Sequence, residues 1–364
     1  MKKLAIVHPS FGFAGAEYVA VRVADALKGE FRADLIVTEK GITVDRINEV
    51  FGTSLSREDL NIITLSAPQR GHILKKHIAM RFIKKNRTRW DILFSTRDEM
   101  DLGRKGIQYI HCPTEESYRN DLGLLRKIYY SLARLYSGYS RSSMKRNNTI
   151  TSSLWGAGIV KRLYGIESTV IYPPVDDDFP AVPWMEKKES VICAGRIAPE
   201  KKIEDVIGIV EKTRILTGKD MGLRLIGHLP ENGYGGKIGK LIASRKWIEH
   251  SDVLPRKEYK HELSRHRYAV HAMSDEHFGI AVAEYVCAGC LVLIKEGGGQ
   301  QEIIGHMREL TYGNIEDATD KLSGFVKDPV SASGLRDRLR LTLPLSAERF
   351  SRDIRIVVGG FNGQ

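Results

Sequence analysis

The stretch that most restricts how this chain can fold is residues 268–305. An apolar run at 268–272 is followed by a loop, a helical apolar pattern that starts after Gly279, a second apolar run at 291–294 and a glycine-rich loop at 297–299. Short buried strands joined by a helix are typical of parallel sheets, because parallel strands need a crossover connection. This order therefore predicts one strand–helix–strand unit of an α/β domain.

The start of the helix in this unit is suited to an anion. Amides near Phe278, Gly279 and Ile280 lie at the positive end of the helix dipole, and Gly279 has no side chain to block a phosphate. Glu276 precedes them, and Glu284 lies five residues past Gly279, about 7.5 Å along the axis. The two carboxylates could accept hydrogen bonds from sugars on either side of a diphosphate. A capping Glu and a solvated helix Glu are the alternative.

The spacing of these two carboxylates also carries a family resemblance. Glu276, seven residues and then Glu284, with His-Phe-Gly after the first Glu, resembles the EX7E signature of the retaining GT-B glycosyltransferases of family 4. The longer string EHFGIAVAEYVCAG is similar to that of eukaryotic GDP-mannose:dolichol-linked oligosaccharide α-1,2-mannosyltransferases. The resemblance implies that Glu284 holds the ribose hydroxyls of a nucleotide-sugar and that Glu276 orients the donor sugar. A prokaryotic, archaeal-type relative is expected.

Two strings in the first half resemble the same family. Ala14-Gly15-Ala16-Glu17 is similar to its GGAE string, which implies that Gly15 lies near the donor diphosphate and sugar; a plain tight turn is the alternative. Tyr109-Ile-His-Cys-Pro-Thr114 is similar to a His-Tyr-Pro-Thr-like string. The resemblance implies that His111 contacts the donor sugar, whereas a lone His at a strand end is most often structural. Cys112 replaces an aromatic residue, which leaves the neighbouring contact open.

A pair of cations opens the second half. Arg196 ends a predicted strand and Lys201 precedes a predicted helix, so both emerge at one sheet edge and could neutralise a diphosphate. A cluster of charges at a helix start is the alternative. The string GRIAPEKK resembles GRxxxEKG of family 4, whose Arg and Lys hold the donor phosphates. Lys202 stands where Gly is usual, so we prefer Lys201.

The rest of the chain repeats the alternation of strands and helices, so we expect an α/β protein with two doubly wound, Rossmann-like domains. First-half strands are predicted at 4–7, 33–38, 62–65, 92–95, 106–111, 149–152 and 170–172, and second-half strands include 191–196, 223–227 and 252–254. The GT-B resemblance implies that the domains face each other across a cleft. The predicted layout is an acceptor-binding domain at 1–175, a Pro-rich linker at 176–187, a nucleotide-sugar-binding domain at 188–345, and a helix at 346–364 returning to the first domain.

Positive charge is concentrated in the first half. Residues 1–170 hold 28 Lys or Arg and 17 Asp or Glu, whereas the remainder is balanced. Residues 71–87 form a predicted amphipathic helix with Ile73, Ile78, Ala79, Phe82 and Ile83 on one side and basic residues on the other. Such a helix suits an anionic membrane surface, and a core-packing helix with a solvated face is the alternative. A nucleic-acid partner is not expected, because no recognised module interleaves aromatics with the charge.

The family resemblance, together with these features, implies transfer of a hexosyl group, mannose from GDP-mannose by preference, to a polyprenyl-(di)phosphate-linked glycan. A UDP-sugar with another glycan or a soluble acceptor is the alternative, and a silent scaffold or a nucleic-acid binder is more remote. No cofactor is expected, since the nucleotide-sugar is a substrate. No metal is expected either, because Arg196 and Lys201 supply the charge; Asp176-Asp177-Asp178 is interpreted as solvated linker charge.

The cysteines and the N-terminus favour a cytoplasmic protein peripheral to the cytoplasmic face of a membrane. Cys287 and Cys290 have CxxC spacing, but they lie at a predicted buried helix–strand junction without a second ligand pair, which argues against a zinc or redox role. Four sparse thiols suit a reducing compartment. No run of about 18 apolar residues is present, and the short apolar run at 4–7 predicts a first strand rather than a signal peptide.

Overall fold

The computed structural model of the protein describes residues 1–68, 71–113, 123–176, 178–340 and 345–361. The chain divides into two compact units. The first contains Met1–Pro174 and Ala347–Gln364, and the second contains Val175–Ser346. Each unit has a parallel sheet with helices around it, so the predicted α/β class with two Rossmann-like domains is confirmed.

The first unit is built on a seven-stranded sheet whose neighbouring strands all run parallel. Its strands are β1 (Lys2–Val7), β2 (Phe31–Val37), β3 (Leu60–Thr64), β4 (Ile92–Ser95), β5 (Ile107–Ile110), β6 (Asn148–Thr151) and β7 (Thr169–Val170). The spatial order is β3-β2-β1-β4-β5-β6-β7, so the chain switches direction between β1 and β4. Ligands of doubly wound sheets bind beside the carboxyl ends of the strands at such a switch.

Helices connect the strands of this unit. They are α1 (Gly15–Leu27), α2 (Val44–Phe51), α3 (His72–Asn86), α4 (Leu124–Ser137), α5 (Arg141–Lys145) and α6 (Leu154–Tyr164). Because helices cover both faces of a parallel sheet, its central strands are unbroken apolar runs. Leu4, Ala5, Ile6 and Val7 of β1 are all fully buried.

The second unit contains a six-stranded parallel sheet in the order β10-β9-β8-β11-β12-β13. The strands are β8 (Lys188–Ala194), β9 (Gly222–Ile226), β10 (Ile248–Ser251), β11 (His266–His271), β12 (Leu291–Lys295) and β13 (Thr311–Tyr312). The helices are α7 (Ile203–Thr217), α8 (Gly233–Ala243), α9 (Arg256–Ser264), α10 (Ile280–Cys287), α11 (Gln300–Ile303), α12 (Ile315–Lys327) and α13 (Pro329–Arg340). The strand–helix–strand unit predicted around residue 280 is β11-α10-β12.

A final helix, α14 (Ala347–Gly359), packs against α1 in the first unit. Phe350, Ile354 and Val358 recur every four residues and are buried, which is the spacing of one helix face. Arg355 Nε donates to the carbonyl oxygen of Ala26 at 2.8 Å. The last three residues of the predicted segment 346–364 lie outside the described part of the chain.

One predicted strand, at 252–254, is wrong. The structure places the strand at β10, Ile248–Ser251, and the exposed Val253 lies in the segment that follows it. Strand β10 is an edge strand whose sequence, Ile-Glu-His-Ser, carries a single apolar residue. An edge strand need not be apolar throughout, because it pairs on one side and is partly solvated. The apolar run that guided the other predictions was therefore missing here.

The helix predicted at 71–87 is α3, and the prediction that all its basic side chains face solvent is partly wrong. Lys75 and Lys76 of α3 are buried rather than solvated. Lys75 Nζ lies 2.7 Å from a carboxylate oxygen of Glu39, and Lys84 Nζ lies 2.8 Å from one of Asp101. A buried ammonium group requires such a partner. These lysines are therefore neutralised inside the unit, and the charge presented to solvent by α3 is smaller than the sequence suggests.

The helices of the described residues are short compared with a bilayer. The longest, α3 and α7, have 15 residues each, whereas a crossing helix needs about 20 apolar residues. Among the residues that the structure describes, no helix has the length and hydrophobicity to cross a membrane.

Candidate active site

The turn between β11 and α10 carries the carboxylate and the amides predicted to meet the donor. Gly279 caps α10 with φ of 96°, a left-handed conformation that suits Gly. The first bond within the helix runs from Ala283 N to Gly279 O at 3.0 Å. Amides before that position have no acceptor inside the helix. The N-terminus of α10, at Gly279 and Ile280, therefore offers donors to an anion, next to Glu276, and Phe278 immediately precedes it.

A glycine loop after β12 fixes the position of Glu276. Gly298 has φ of 79°, and a Cβ there would lie 2.3 Å from the carbonyl oxygen of Glu276. Gly299 N donates to the same oxygen at 2.7 Å. The buried side chain of Gln300 donates to Met273 O at 2.7 Å. Gln300 is a positioning residue that was not predicted from the sequence, although the string Gly-Gly-Gly-Gln indicates a close backbone approach.

Glu276 is surrounded by donors. The Lys201 ammonium contacts Oε2, His271 Nε2 lies 3.3 Å from the same oxygen, and His277 N donates to Oε1 at 3.2 Å. Burial alone would raise the pKa of Glu276, but the His271 imidazole and the Lys201 charge outweigh it, so the pKa lies well below its usual range. Burial lowers the pKa of His271. The site therefore presents a fixed carboxylate, an ammonium and a neutral imidazole.

The two predicted phosphate-binding cations lie in one cleft. Arg196, Lys201 and His271 line it at the carboxyl ends of β8 and β11. The exposed Arg196 guanidinium pairs with Glu200 at 3.3 Å, a surface contact that a stronger anion can replace. Lys202 is exposed, with a left-handed backbone at the start of α7. Lys201 therefore lines the cleft and Lys202 does not, and the phosphate-binding role of Lys201 stays a prediction.

Glu284, on α10, belongs to a network of charges. Arg256 Nη1 lies 2.7 Å from Glu284 Oε1, and the Tyr259 hydroxyl donates to Oε2 at 2.7 Å. On its other edge, Arg256 donates to Asp176 Oδ2 at 2.8 and 2.9 Å, and Lys260 reaches the same oxygen at 2.8 Å. Burial would lower the pKa of Arg256, but the Glu284 and Asp176 charges outweigh it and raise that pKa above its usual value.

This network corrects the interpretation of the Asp-rich string as solvated linker charge. Asp176 is buried and paired, and Asp178 lies 2.5 Å from Lys260 Nζ; Asp177 lies outside the described residues. The segment predicted as a linker is also packed, since Trp184 is buried and its Nε1 donates to Pro329 O at 3.0 Å.

The first unit holds Gly15 and His111, whereas every other predicted site residue belongs to the second. Gly15 is the first residue of α1, the helix that follows β1 in the chain. Glu17 Oε2 accepts the amide of Ala14 at 2.9 Å, and Oε1 lies 3.2 Å from His8 Nε2. Burial would raise the pKa of Glu17, but the hydrogen bond and the charge of His8 lower it to about 2. This buried pair fixes the loop that leads into α1.

His111 directly follows β5. Its ring centroid lies 4.7 Å from that of Tyr109. Burial lowers the pKa of His111 to about 3 against the opposing charge of Asp98, so the ring is neutral at neutral pH. Its buried Nε2 atom has no hydrogen-bond partner among the described residues. A neutral imidazole with a free nitrogen can donate to, or accept from, a hydroxyl.

Of the two CxxC cysteines, Cys290 is a thiol outside any disulfide. Cys290 is fully buried, and its Sγ lies 3.3 Å from the carbonyl oxygens of Leu263 and His266. Burial raises the pKa of Cys290 to about 12. The thiolate form that redox chemistry and metal binding require is therefore disfavoured at neutral pH.

The second unit matches a known protein family. Residues 175–342 match the model described as "Glycosyl transferases group 1". This range contains all the charged residues described around Glu276 and Glu284.

Similar curated proteins include GDP-Man:Man(3)GlcNAc(2)-PP-Dol alpha-1,2-mannosyltransferases. The Xenopus laevis protein is 27% identical over 247 residues, which cover 63% of this chain and 50% of that protein. The human protein is 24% identical over 250 residues, with the same coverage. The chain thus spans about half the length of the curated relatives it matches.

Solved structures show the same fold over nearly the whole chain. An Anabaena protein, HepE, solved with UDP and glucose, has a TM-score of 0.74 at 12% identity and covers 99% of this chain and 100% of its own. WaaG, a glycosyltransferase involved in lipopolysaccharide biosynthesis, has a TM-score of 0.74 at 13% identity, with 98% and 100% coverage. Residues 175–342 are therefore similar to the group 1 glycosyl transferases, and the chain has the GT-B fold of these solved structures.

Proposed function

We propose that this protein transfers a hexosyl group, mannose from GDP-mannose by preference, to a hydroxyl of a polyprenyl-(di)phosphate-linked glycan. The observation that carries the proposal is the contact of Lys201, which lines one cleft with Arg196, with Glu276, the carboxylate that precedes the N-terminus of α10. Cations and the amides of a helix N-terminus suit a diphosphate, and a carboxylate suits the cationic sugar that forms as the diphosphate leaves. The similarity to the dolichol-linked mannosyltransferases supports the choice of sugar and acceptor.

In this proposal the diphosphate is held by charge. Arg196 can bind it through two N–H groups, Lys201 adds a point charge, and the amides at Phe278, Gly279 and Ile280 donate from the helix end. Negative charge grows on the leaving diphosphate in the transition state, so these donors accelerate the reaction. Two cations and a helix N-terminus supply this role without a metal ion, and no cofactor is required.

The sugar carbon is proposed to react with retention of configuration. Its bond to the diphosphate oxygen breaks, and the acceptor hydroxyl oxygen forms the new bond on the same face. The hydroxyl proton passes to an oxygen of the departing diphosphate. Glu276, held as a carboxylate by Lys201 and His271, stabilises the oxocarbenium-like centre and orients the sugar.

Glu284 is proposed to accept hydrogen bonds from the ribose hydroxyls. Arg256 and Tyr259 each occupy one of its oxygens. A carboxylate oxygen has two lone pairs, so each oxygen keeps one for a hydroxyl. The network around Arg256 then fixes the carboxylate before the nucleotide binds, which lowers the entropy cost of recognition.

A membrane that carries the acceptor would attract the basic first unit. Residues 70–146 contain 18 Lys or Arg and 7 Asp or Glu. Near an anionic leaflet, each surface Lys or Arg contributes about 1 kcal/mol. Because several lysines of α3 are paired internally, this attraction is assigned to the exposed basic residues of the unit, such as Lys85 and Lys145.

Donor choice is tested by thermal unfolding of the full chain with GDP, UDP and ADP and their sugars. A ligand at about 100 times its Kd stabilises the folded state by about 2.7 kcal/mol. We expect GDP and GDP-mannose to raise Tm in a saturable way. A response to UDP-sugars alone would redirect the donor assignment to the UDP-sugar alternative, and no response to any nucleotide would contradict the proposal.

The reaction is tested with the Glu276→Gln variant. Transfer of mannose to a lipid-linked glycan should be lost, while the GDP-induced rise in Tm is kept, because Gln removes the charge that faces the sugar. Glu258→Gln, an exposed change on α9, is the matched control and should transfer normally. Proton NMR of the wild-type product should show the anomeric configuration of the donor. Full activity of Glu276→Gln, or an inverted product, would refute the assigned role.

A further inference from the structure

Helix α4 exposes its apolar side and buries its small residues, the reverse of an ordinary surface helix. Seven large side chains on it are exposed: Leu124, Leu125, Ile128, Tyr129, Leu132, Leu135 and Tyr136. The buried positions of the helix include Ala133 and Ser137. Contiguous exposed apolar patches of this kind mark interaction surfaces on soluble proteins.

The exposed residues form one stripe. At 100° per residue, all seven lie within an arc of about 140° on the helix surface. The opposite side is fixed to α3, against which α4 packs. Ser137 Oγ lies 2.7 Å from His77 Nδ1, and Arg81 Nη1 donates to Tyr136 O at 2.6 Å. These polar contacts hold the helix in the orientation that turns its apolar stripe away from the unit.

The charge around the stripe points to an anionic partner. Between residues 122 and 166 the sequence has no Asp or Glu, whereas it has eight Lys or Arg. Lys127 on α4 and Lys145 and Arg146 beyond it are exposed. An apolar stripe bordered by cations is typical of a helix that lies in the headgroup region of a membrane. Helix α4 has 14 residues, about 21 Å, which is too short to cross a bilayer.

We propose that α4 is the membrane-binding element of this protein. Its exposed Leu, Ile and Tyr side chains enter the apolar layer of an anionic leaflet, and Lys127 with the neighbouring basic residues meets the headgroups. The helix lies parallel to the membrane plane. This inference deepens the proposed function and rests on it for the lipid-borne acceptor, which makes a bilayer the relevant partner. It moves the predicted membrane contact from α3 to α4, with α3 as its support.

The test uses the full chain and a double variant, Leu125→Glu with Leu132→Glu. These side chains are 83% and 59% exposed, so the folded unit tolerates the change. The matched control is Ile215→Glu with Leu216→Glu on α7, at 77% and 54% exposure. Binding is measured by flotation on phosphatidylcholine vesicles with and without phosphatidylglycerol. Wild type should prefer the anionic vesicles; the α4 variant should bind them at least about tenfold more weakly, and the control should match wild type within about twofold.

Circular dichroism should show the same folded spectrum for all three proteins. Equal flotation of wild type and the α4 variant would overturn the inference. So would a wild-type dimer that the α4 change dissociates, combined with no vesicle binding, because a second copy would then cover the stripe. Vesicle binding that depends on α4, in a protein that transfers no sugar from any nucleotide-sugar, would support the inference while the proposed function fails.

Discussion

Replacement of Arg256 by Met tests whether one cation holds the carboxylates beside α10. The guanidinium lies 2.7 Å from Glu284 Oε1 and 2.8 Å from Asp176 Oδ2, and both carboxylates are buried. Met keeps much of the volume of the side chain but removes its charge. The two carboxylates keep their contacts with Lys260 and the Tyr259 hydroxyl but lose the guanidinium that pairs with both. We expect this change to destabilise the second unit strongly.

Loss of one partner from a buried ion pair costs about 3–5 kcal/mol, because the remaining charge is left in a poorly solvated site. For a domain of about 150–250 residues, each kcal/mol lowers Tm by about 2–4 °C. The Arg256→Met variant should therefore have a Tm about 6–20 °C lower than that of wild type, in the unfolding transition whose Tm rises when GDP is added. Scanning calorimetry of the full chain measures this. GDP should also bind more weakly, since Glu284 loses the group that orients it.

Arg265→Met is the matched control. Arg265 immediately follows α9 and pairs with Glu262 at 3.0 Å, but its side chain is 53% exposed, against 22% for Arg256. A surface pair contributes about 0–1 kcal/mol. Adding Asp176→Asn and Glu284→Gln to Arg256→Met should restore much of the lost stability by removing the uncompensated charges. An Arg256→Met variant that is no less stable than Arg265→Met would refute this reasoning.

Three further changes have expected outcomes. Gly298→Ala should lower the free energy of unfolding in urea by about 1–3 kcal/mol, because its φ is 79° and the new Cβ would lie 2.3 Å from Glu276 O. The Glu17 pKa of about 2, against an ordinary 4.5, stabilises the folded protein above pH 4.5, and this stability is lost as pH falls towards 2. Glu17→Gln should remove about 3 kcal/mol of this pH dependence of the free energy of unfolding, measured in unfolding titrations at several pH values. An unchanged dependence on pH would exclude the pair with His8 as its cause. His111→Ala should lower the rate of mannosyl transfer about tenfold and leave the affinity for GDP unchanged. A normal rate of transfer would contradict the predicted contact of His111 with the donor sugar.

Much of the fold could be predicted because central parallel strands are continuous apolar runs. Strands β1, β4 and β12 are buried on both sides, so their sequences alone indicate them. The edge strand β10 could not be found in this way, since polar residues are tolerated on its open side. Helix periodicity predicts that an apolar stripe exists but not which way it faces. The outward stripe of α4 therefore required the three-dimensional structure.

The site divides in the same way. Glu276 and Lys201 lie close to strand ends within short strings, so their meeting at one sheet edge could be expected from the topology. The contact between Arg256 and Asp176 joins residues 80 positions apart and depends on the path of the segment predicted as a linker. Local sequence carries no signal for such a contact. The same holds for the pairing of Lys75 with Glu39, which turned a predicted surface charge inward.

The central claim is that Arg196, Lys201 and the amides of α10 hold a diphosphate. Calorimetric titration of wild type and Lys201→Met with GDP and with guanosine tests it most directly, with Lys212→Met, an exposed change on α7, as the control. A hydrogen bond to a charged group contributes about 1.5–3 kcal/mol, or about 10- to 150-fold in affinity. The Lys201→Met variant should therefore bind GDP more weakly than wild type by about that factor, and it should bind guanosine with unchanged affinity. Equal loss for both ligands, or no loss for GDP, would contradict the account.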